Sequence, residues 1–225
     1  MKKVGFTLAE VLITLGIIGV VAAMTIPTLI TNHQKKQTAT KLVKAISTLN
    51  QLIRLSENEN GEFSTWEKLK DQEEFINKYI RPYTKIMKTC NPIQNCGYKP
   101  GTLWKYMNNS IGFYSDPNYG GRTPFLGIDG IVYTFGYINT DLGEISGDNN
   151  RIIIIDINGK DNPNQFGKDI FFLVRDEVSN SIIPYGAGLS HEEIKNDCSK
   201  TGRGLYCSAW IRENGWAIPV DYPFK

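Results

Sequence analysis

From Phe6 to Ile30 the chain carries one ionisable side chain, Glu10. Its length matches the roughly 20 apolar residues that cross a bilayer core at about 1.5 Å rise per residue. A carboxylate in such a span is costly, roughly 2.5–3.5 kcal/mol at the bilayer centre and less near the interface. Glu10 therefore marks a position that needs a partner. Met1-Lys2-Lys3-Val4-Gly5 precedes it as a short basic leader. Basic residues flank the cytoplasmic side of a span, so the expected topology is single-pass, with the N-terminus cytoplasmic and the rest of the chain outside.

A secretory signal has an apolar stretch of about 7–15 residues and a small-residue cleavage site after it. Here the stretch is longer, and Gly5-Phe6-Thr7-Leu8-Ala9-Glu10 stands before it. That order of leader, glycine, phenylalanine, glutamate and apolar run resembles the prepilin motif of type IV pilins and the pseudopilins of type II secretion. The resemblance implies cleavage between Gly5 and Phe6 by a prepilin peptidase, N-methylation of Phe6, an assembly role for Glu10 and a helix bend at Pro27. It implies a home in the bacterial inner membrane, an inner-membrane assembly platform, and a homo- or hetero-oligomeric filament with other pilin-like subunits. The head would be periplasmic, or extracellular after assembly. Physically, cleavage leaves a positive amine at the positive end of a helix dipole, where it is unwelcome. Glu10, one turn on, offsets it and can also pair with the amine of a neighbouring chain in lipid.

Charge and cysteines fit an exported, self-associating protein. Cleavage removes two of 25 basic residues and none of 23 acidic ones, leaving the side chains at zero net charge. That argues against nucleic-acid binding by bulk charge and favours self-association. The four cysteines fall as Cys90 with Cys96 and Cys198 with Cys207. An even count in an exported chain reads as disulfides, with three pairings formally open and the local one expected. Zinc prefers tighter pairs such as C-x2-C.

The helical pattern continues past the span. Leu42, Val43, Ile46, Leu49, Leu52 and Ile53 recur at three and four residues, predicting one helix to about Glu57 with Gly61 as the stop. Ser64-Thr65-Trp66-Glu67 has capping-box spacing and predicts a short second helix, with Leu69 on its apolar face. Strands are expected at 103–107, 111–114, 125–128, 131–138, 151–157 and 170–174, where β-branched and aromatic residues alternate with Gly, Asn, Asp and Pro clusters. Asp129-Gly130 signals a two-residue hairpin, and Ile152 to Ile155 a strand buried on both faces. The expected fold is α+β and pilin-like: a long N-terminal helix, with a membrane-spanning and an amphipathic half, packed on an antiparallel β-sheet head with disulfide-bounded loops. The parts are a leader (1–5), a transmembrane assembly helix (6–30), an amphipathic continuation (31–57) and the head (58–225).

One loop carries candidate chemistry. Asp156, Asn158, Asn162, Asn164 and Asp169 place oxygens at short intervals, a pattern that calcium uses. Lys160 falls at a ligand position, Gly159 comes early and no glutamate closes the loop, so a turn in which Asn and Asp bond their own backbone explains the run as well. Nothing else requires a cofactor. His191-Glu192-Glu193-Ile194-Lys195 lacks the second histidine of a zinc protease helix, and Gly186-Ala187-Gly188 lacks a phosphate-binding context. No enzyme is expected. Trp210, Trp216, Tyr222 and Phe224 near the terminal cysteines are candidate contact anchors, with Trp210 better suited to the core. The functional expectation is a structural subunit of a type IV pilus or type II secretion-like pseudopilus. The alternative is a minor tip subunit whose head binds a surface, DNA or a secreted ligand.

Overall fold

A computed structural model describes residue 5 and residues 7–67, 72–119, 122–137, 151–176 and 178–224. Lys2, Lys3, Phe6, Leu69 and Ile138 lie outside the described residues. The chain divides into two compact units, Met1–Gln37 and Thr38–Lys225. One helix, α1 (Leu8–Asn60, 53 residues), runs through both. It ends at Asn60, three residues past the expected point, because Gly61 adopts φ +77° and returns its N–H to the Glu57 carbonyl at 3.0 Å. Only a residue without a Cβ takes that conformation cheaply.

In the second unit α1 buries Thr38, Ala39, Leu42, Ala45, Ile46, Leu49, Leu52, Ile53 and Ser56. The three-and-four spacing puts these on one stripe. Val43 falls off the stripe and is 38 % exposed, so its place in the predicted face is corrected.

Among the described residues six antiparallel strands form one sheet in sequence order: β1 (Ile86–Thr89), β2 (Thr123–Gly127), β3 (Val132–Tyr137), β4 (Arg151–Asp156), β5 (Ile170–Asp176) and β6 (Ser181–Pro184). Ile152, Ile153, Ile154 and Ile155 are each 0 % exposed in the interior strand β4. Register separates the faces, since directly paired residues point the same way. Phe135, Ile153 and Leu173 share one face, where Phe75 meets Phe135 at 5.8 Å. Thr134, Ile154 and Phe172 share the other, where Tyr114 packs edge-on to Phe172 at 4.8 Å.

That second face explains two corrections. Residues 103–107 and 111–114 are not strands; they are irregular segments, apart from an isolated bridge from Lys105 to Gln165, whose Trp104, Tyr106 and Tyr114 are buried in the same core as the sheet. Their backbone bonds go elsewhere: Lys105 donates to the Asn164 carbonyl at 2.9 Å and accepts from Phe166 N–H at 2.8 Å. Strands β1 and β6, which periodicity alone did not reveal, are the short edges. Asn50 of α1 closes β6 by bonding both backbone groups of Ile182, at 2.8 and 3.0 Å, so that edge offers fewer free groups for aberrant pairing.

Local turn chemistry accounts for further differences. Between β2 and β3, Gly127 accepts from Gly130 N–H at 3.0 Å and donates to the Ile131 carbonyl at 2.9 Å, with Gly130 at φ +79°. This is a three-residue hairpin with a glycine bulge in place of the two-residue turn. The Ser64–Glu67 capping box does not form. Phe63–Thr65 is one turn of 3-10 helix, Glu67 pairs with Lys78 at 2.8 Å, and the next helix, α2, is Gln72–Phe75 followed by a π-turn at Ile76–Ile80. A capping box does open the short helix α3 (His191–Asp197), where Ser190 and Glu193 bond reciprocally. Helix α4 (Cys207–Glu213) follows and is anchored by Ser208 Oγ donating to the Phe172 carbonyl at 3.0 Å.

Candidate functional site

In the first unit the helix begins with a reciprocal cap. Thr7 N–H and Thr7 Oγ donate to Glu10 Oε2 at 2.8 and 2.7 Å, and Glu10 N–H donates back to Thr7 Oγ at 3.3 Å. Thr7 N–H is one of the donors that a helix start leaves without an intrahelical partner. The sequence carried this signal as Thr-x-x-Glu ahead of an apolar run, and the reading for Glu10 alone overlooked Thr7. Among the described residues Glu10 Oε1 makes no hydrogen bond, so half of the carboxylate stays available.

Beyond the cap the segment is bare. Leu12, Ile13, Leu15, Ile17, Ile18, Met24 and Leu29 are each more than 60 % exposed or at that level, and an 18-residue window meeting the length and composition for a membrane span has no buried residue. Three of its hydroxyls bond the helix's own backbone: Thr14, Thr25 and Thr31 donate to the carbonyls of Val11, Val21 and Pro27 at 2.9, 3.0 and 2.9 Å. Returning donors to the helix's own backbone removes their demand for water. Pro27 lies inside the helix, which continues through it, and it supplies no N–H to the preceding turn.

In the second unit the cysteines pair locally. Cys90 joins Cys96 with Cα atoms 5.2 Å apart, and Cys198 joins Cys207 at 4.9 Å. The second bridge ties the C-cap of α3 to the first residue of α4. Trp210 is 4 % exposed, as expected of a core residue. Tyr222 is corrected from contact anchor to core: it is 5 % exposed and its hydroxyl donates to the Gly167 carbonyl. Trp216 and Phe224 are half-buried against the same core.

The β4–β5 loop brings its two aspartates together. Asp156 ends β4 opposite Ile170, and Ile157 N–H bonds the Asp169 carbonyl at 2.9 Å. Asp156 Oδ2 accepts from the Tyr98 hydroxyl at 2.7 Å and Oδ1 from Asn158 N–H at 3.1 Å. Asp169 accepts from Asn164 and Gln165 N–H, both at 2.7 Å. Burial pushes Asp169 up to about 6. Burial, then repulsion from Asp169, holds Asp156 well above the usual carboxylate range. Asn162 turns its side-chain oxygen to the Asn164 amide at 3.4 Å and its carbonyl to the Asn158 amide at 3.2 Å. Among the described residues no three His, Cys, Asp or Glu side chains gather as a metal cluster. A separate cleft of about 760 Å³ opens on the head, bordered by Leu52 and Leu55 of α1, Phe125, Ile128 and the cations Lys44, Arg81 and Lys85.

With this geometry in hand, two family matches can be placed on it. Residues 28–171 and 178–225 match the Family of unknown function (DUF6613). The chain belongs to that family. The DUF6613 match takes in α1 from residue 28 on, strands β1 to β4 and β6, the first two residues of β5, and both disulfides. In this DUF6613 chain, residues 2–26 match the Prokaryotic N-terminal methylation motif, which overlies the capped start of α1 and most of the bare apolar stretch. The chain is thus a prepilin-type N-terminus on a pilin-like α+β fold, and such a motif implies processing by a prepilin peptidase and assembly into a filament. No curated protein and no solved structure matches this DUF6613 member.

Proposed function

We propose that this chain is a structural subunit of a type IV pilus or a type II secretion-like pseudopilus, polymerised through its N-terminal helix. The methylation-motif match over residues 2–26, lying on the stretch of α1 whose 18-residue apolar window has no buried residue, carries the reading. Gly5–Phe6 is the cleavage point and Phe6 the methylated residue. Lys2 and Lys3 keep the N-terminus cytoplasmic, placing the head in the periplasm or outside. Glu10 Oε2 is occupied by Thr7, while Oε1 receives the Phe6 amine of an adjacent subunit and sets the stagger between copies. Pro27 relaxes the helix at the lipid boundary.

The test is the N-terminal mass of the protein taken from its own membranes, with co-purifying partners identified. A mature chain that starts at methylated Phe6 and copurifies with pilin-like subunits is expected. A chain still carrying residues 1–5 in cells with an active prepilin peptidase would falsify the proposal.

The cationic, apolar-floored cleft favours a second reading, a minor tip subunit whose head binds a ligand. Copy number distinguishes the two: a few per filament for a tip subunit, many for a structural one.

A further inference from the structure

We propose that the buried guanidinium of Arg122 and the hydroxyl of Tyr114 bind a small monovalent anion, chloride by size and charge, beside strand β3. Arg122 is 5 % exposed, and among the described residues no carboxylate forms an ion pair with it. Its Nε donates to the Tyr119 carbonyl at 2.7 Å and its Nη2 to the Phe113 carbonyl at 3.0 Å. Nη1 is buried and makes no hydrogen bond. The Tyr114 hydroxyl is buried without a partner as well, and the Tyr114 ring is centred 5.5 Å from the guanidinium carbon. Asp116, whose field reaches Arg122, is exposed and gives Oδ1 to Asn118 N–H at 2.9 Å. A guanidinium stays charged in a protein, and a buried charge without a counter-charge is strongly disfavoured.

Strand β3 makes room for the arginine. A Cβ on Gly136 would meet Arg122 Cδ at 3.0 Å and Cγ at 3.1 Å, so a glycine in the strand interior lets the stem lie against the sheet. Thr134, two residues earlier on the same face, leaves a further buried hydroxyl without a partner. Tyr114 packs on that face too, through Phe172. The rings of Phe113 and Tyr119, centred 5.6 and 6.0 Å from the guanidinium carbon, offset part of its charge. They are 42 % and 53 % exposed and form the cover past which an ion enters from solvent. Buried donors without acceptors call for an explanation. Water would fill the hydrogen bonds and leave the positive charge unmatched, whereas an anion answers both. Because Nη1 and the Tyr114 hydroxyl are sealed from solvent, the ion that joins them is small, which favours chloride over phosphate or the carboxylate of a partner protein.

The experiment uses the full chain in an uncharged detergent, moved between sodium gluconate and sodium chloride at equal ionic strength. Thermal unfolding and the line width of the chloride NMR resonance are read together. At chloride about tenfold above its Kd, Tm should rise by about 3–6 °C over gluconate. The chloride line should broaden when protein is added and narrow when bromide competes. Tyr114→Phe removes a hydroxyl that bonds nothing in the protein, so in gluconate it should unfold at the wild-type Tm or above, yet it should weaken chloride about tenfold. Arg122→Met keeps an apolar stem on Gly136 and should abolish both the shift and the broadening. An unbroadened chloride line, or a Tm equal in the two salts, overturns the site, as an ordered water would leave both unchanged. So does chloride binding undiminished in either variant, which would put the ion elsewhere. If Arg122→Met fails to fold, Tyr114→Phe and the wild-type titration decide.

Discussion

Glu10 commits one oxygen of its carboxylate to its own helix: Oε2 closes the helix start through Thr7, while Oε1 makes no hydrogen bond among the described residues. The assembly role proposed for Glu10 can therefore be separated from helix formation by substitution. Thr7→Ala should fray the first turn, at about 1 kcal/mol for a lost N-cap, with faster amide exchange at residues 8–10 and with insertion intact. Thr7→Ser should restore it. Glu10→Lys should still insert and be cleaved, yet assemble poorly when filaments are counted; wild-type filament yield would refute the assembly role. In the head, Ile154 is fully buried between Thr134 and Phe172. Ile154→Ala should lower the unfolding free energy by about 2–5 kcal/mol, read from the denaturant midpoint.

Among the elements, the short helices show how local chemistry replaces length. α3 has seven residues, too few to stand alone, and relies on the Ser190–Glu193 box and the Cys198–Cys207 bridge. Hydrogen bonds from Ser190 hold the exposed Glu193 carboxyl below its ordinary value. A depressed folded-state value means that this stabilisation is present above the unfolded carboxyl range and fades as pH falls through the folded one. Ser190→Ala should therefore flatten the acid limb of the stability profile. Reducing the Cys198–Cys207 bridge should cost about 2–3 kcal/mol, visible as a lower Tm in dithiothreitol. The strands were legible in proportion to their periodicity. Ile152–Ile155 announced a central strand through four adjacent β-branched residues. β1 and β6 have four residues each and mixed polarity, so nothing in their pattern separates them from loop.

At the scale of the whole molecule the two units rest on different solvents. The second unit, from Thr38, has its own core and both disulfides. A fragment of residues 31–225 should fold without the span, unfolding cooperatively and keeping its near-ultraviolet signature. Among its described residues the first unit buries no apolar side chain, and its apolar stretch needs lipid or other helices to cover it. What the sequence by itself determined was the part written in local pattern: the processing motif, the apolar run and the amphipathic stripe from Leu42 to Ile53, with the local cysteine pairing expected among three left open. These follow from period, spacing and charge, which need no distant residue. Only the tertiary structure decided what covers the second face of the sheet. It alone turned Trp104, Tyr106 and Tyr114 from strand candidates into core residues, set Tyr114 against Phe172, and placed Asn50 on the β6 edge. It also brought Asp156 and Asp169, 13 positions apart in the chain, into one buried cluster. The reason is that burial and long-range pairing belong to the packed whole, where each backbone group and each charge must find its partner at once.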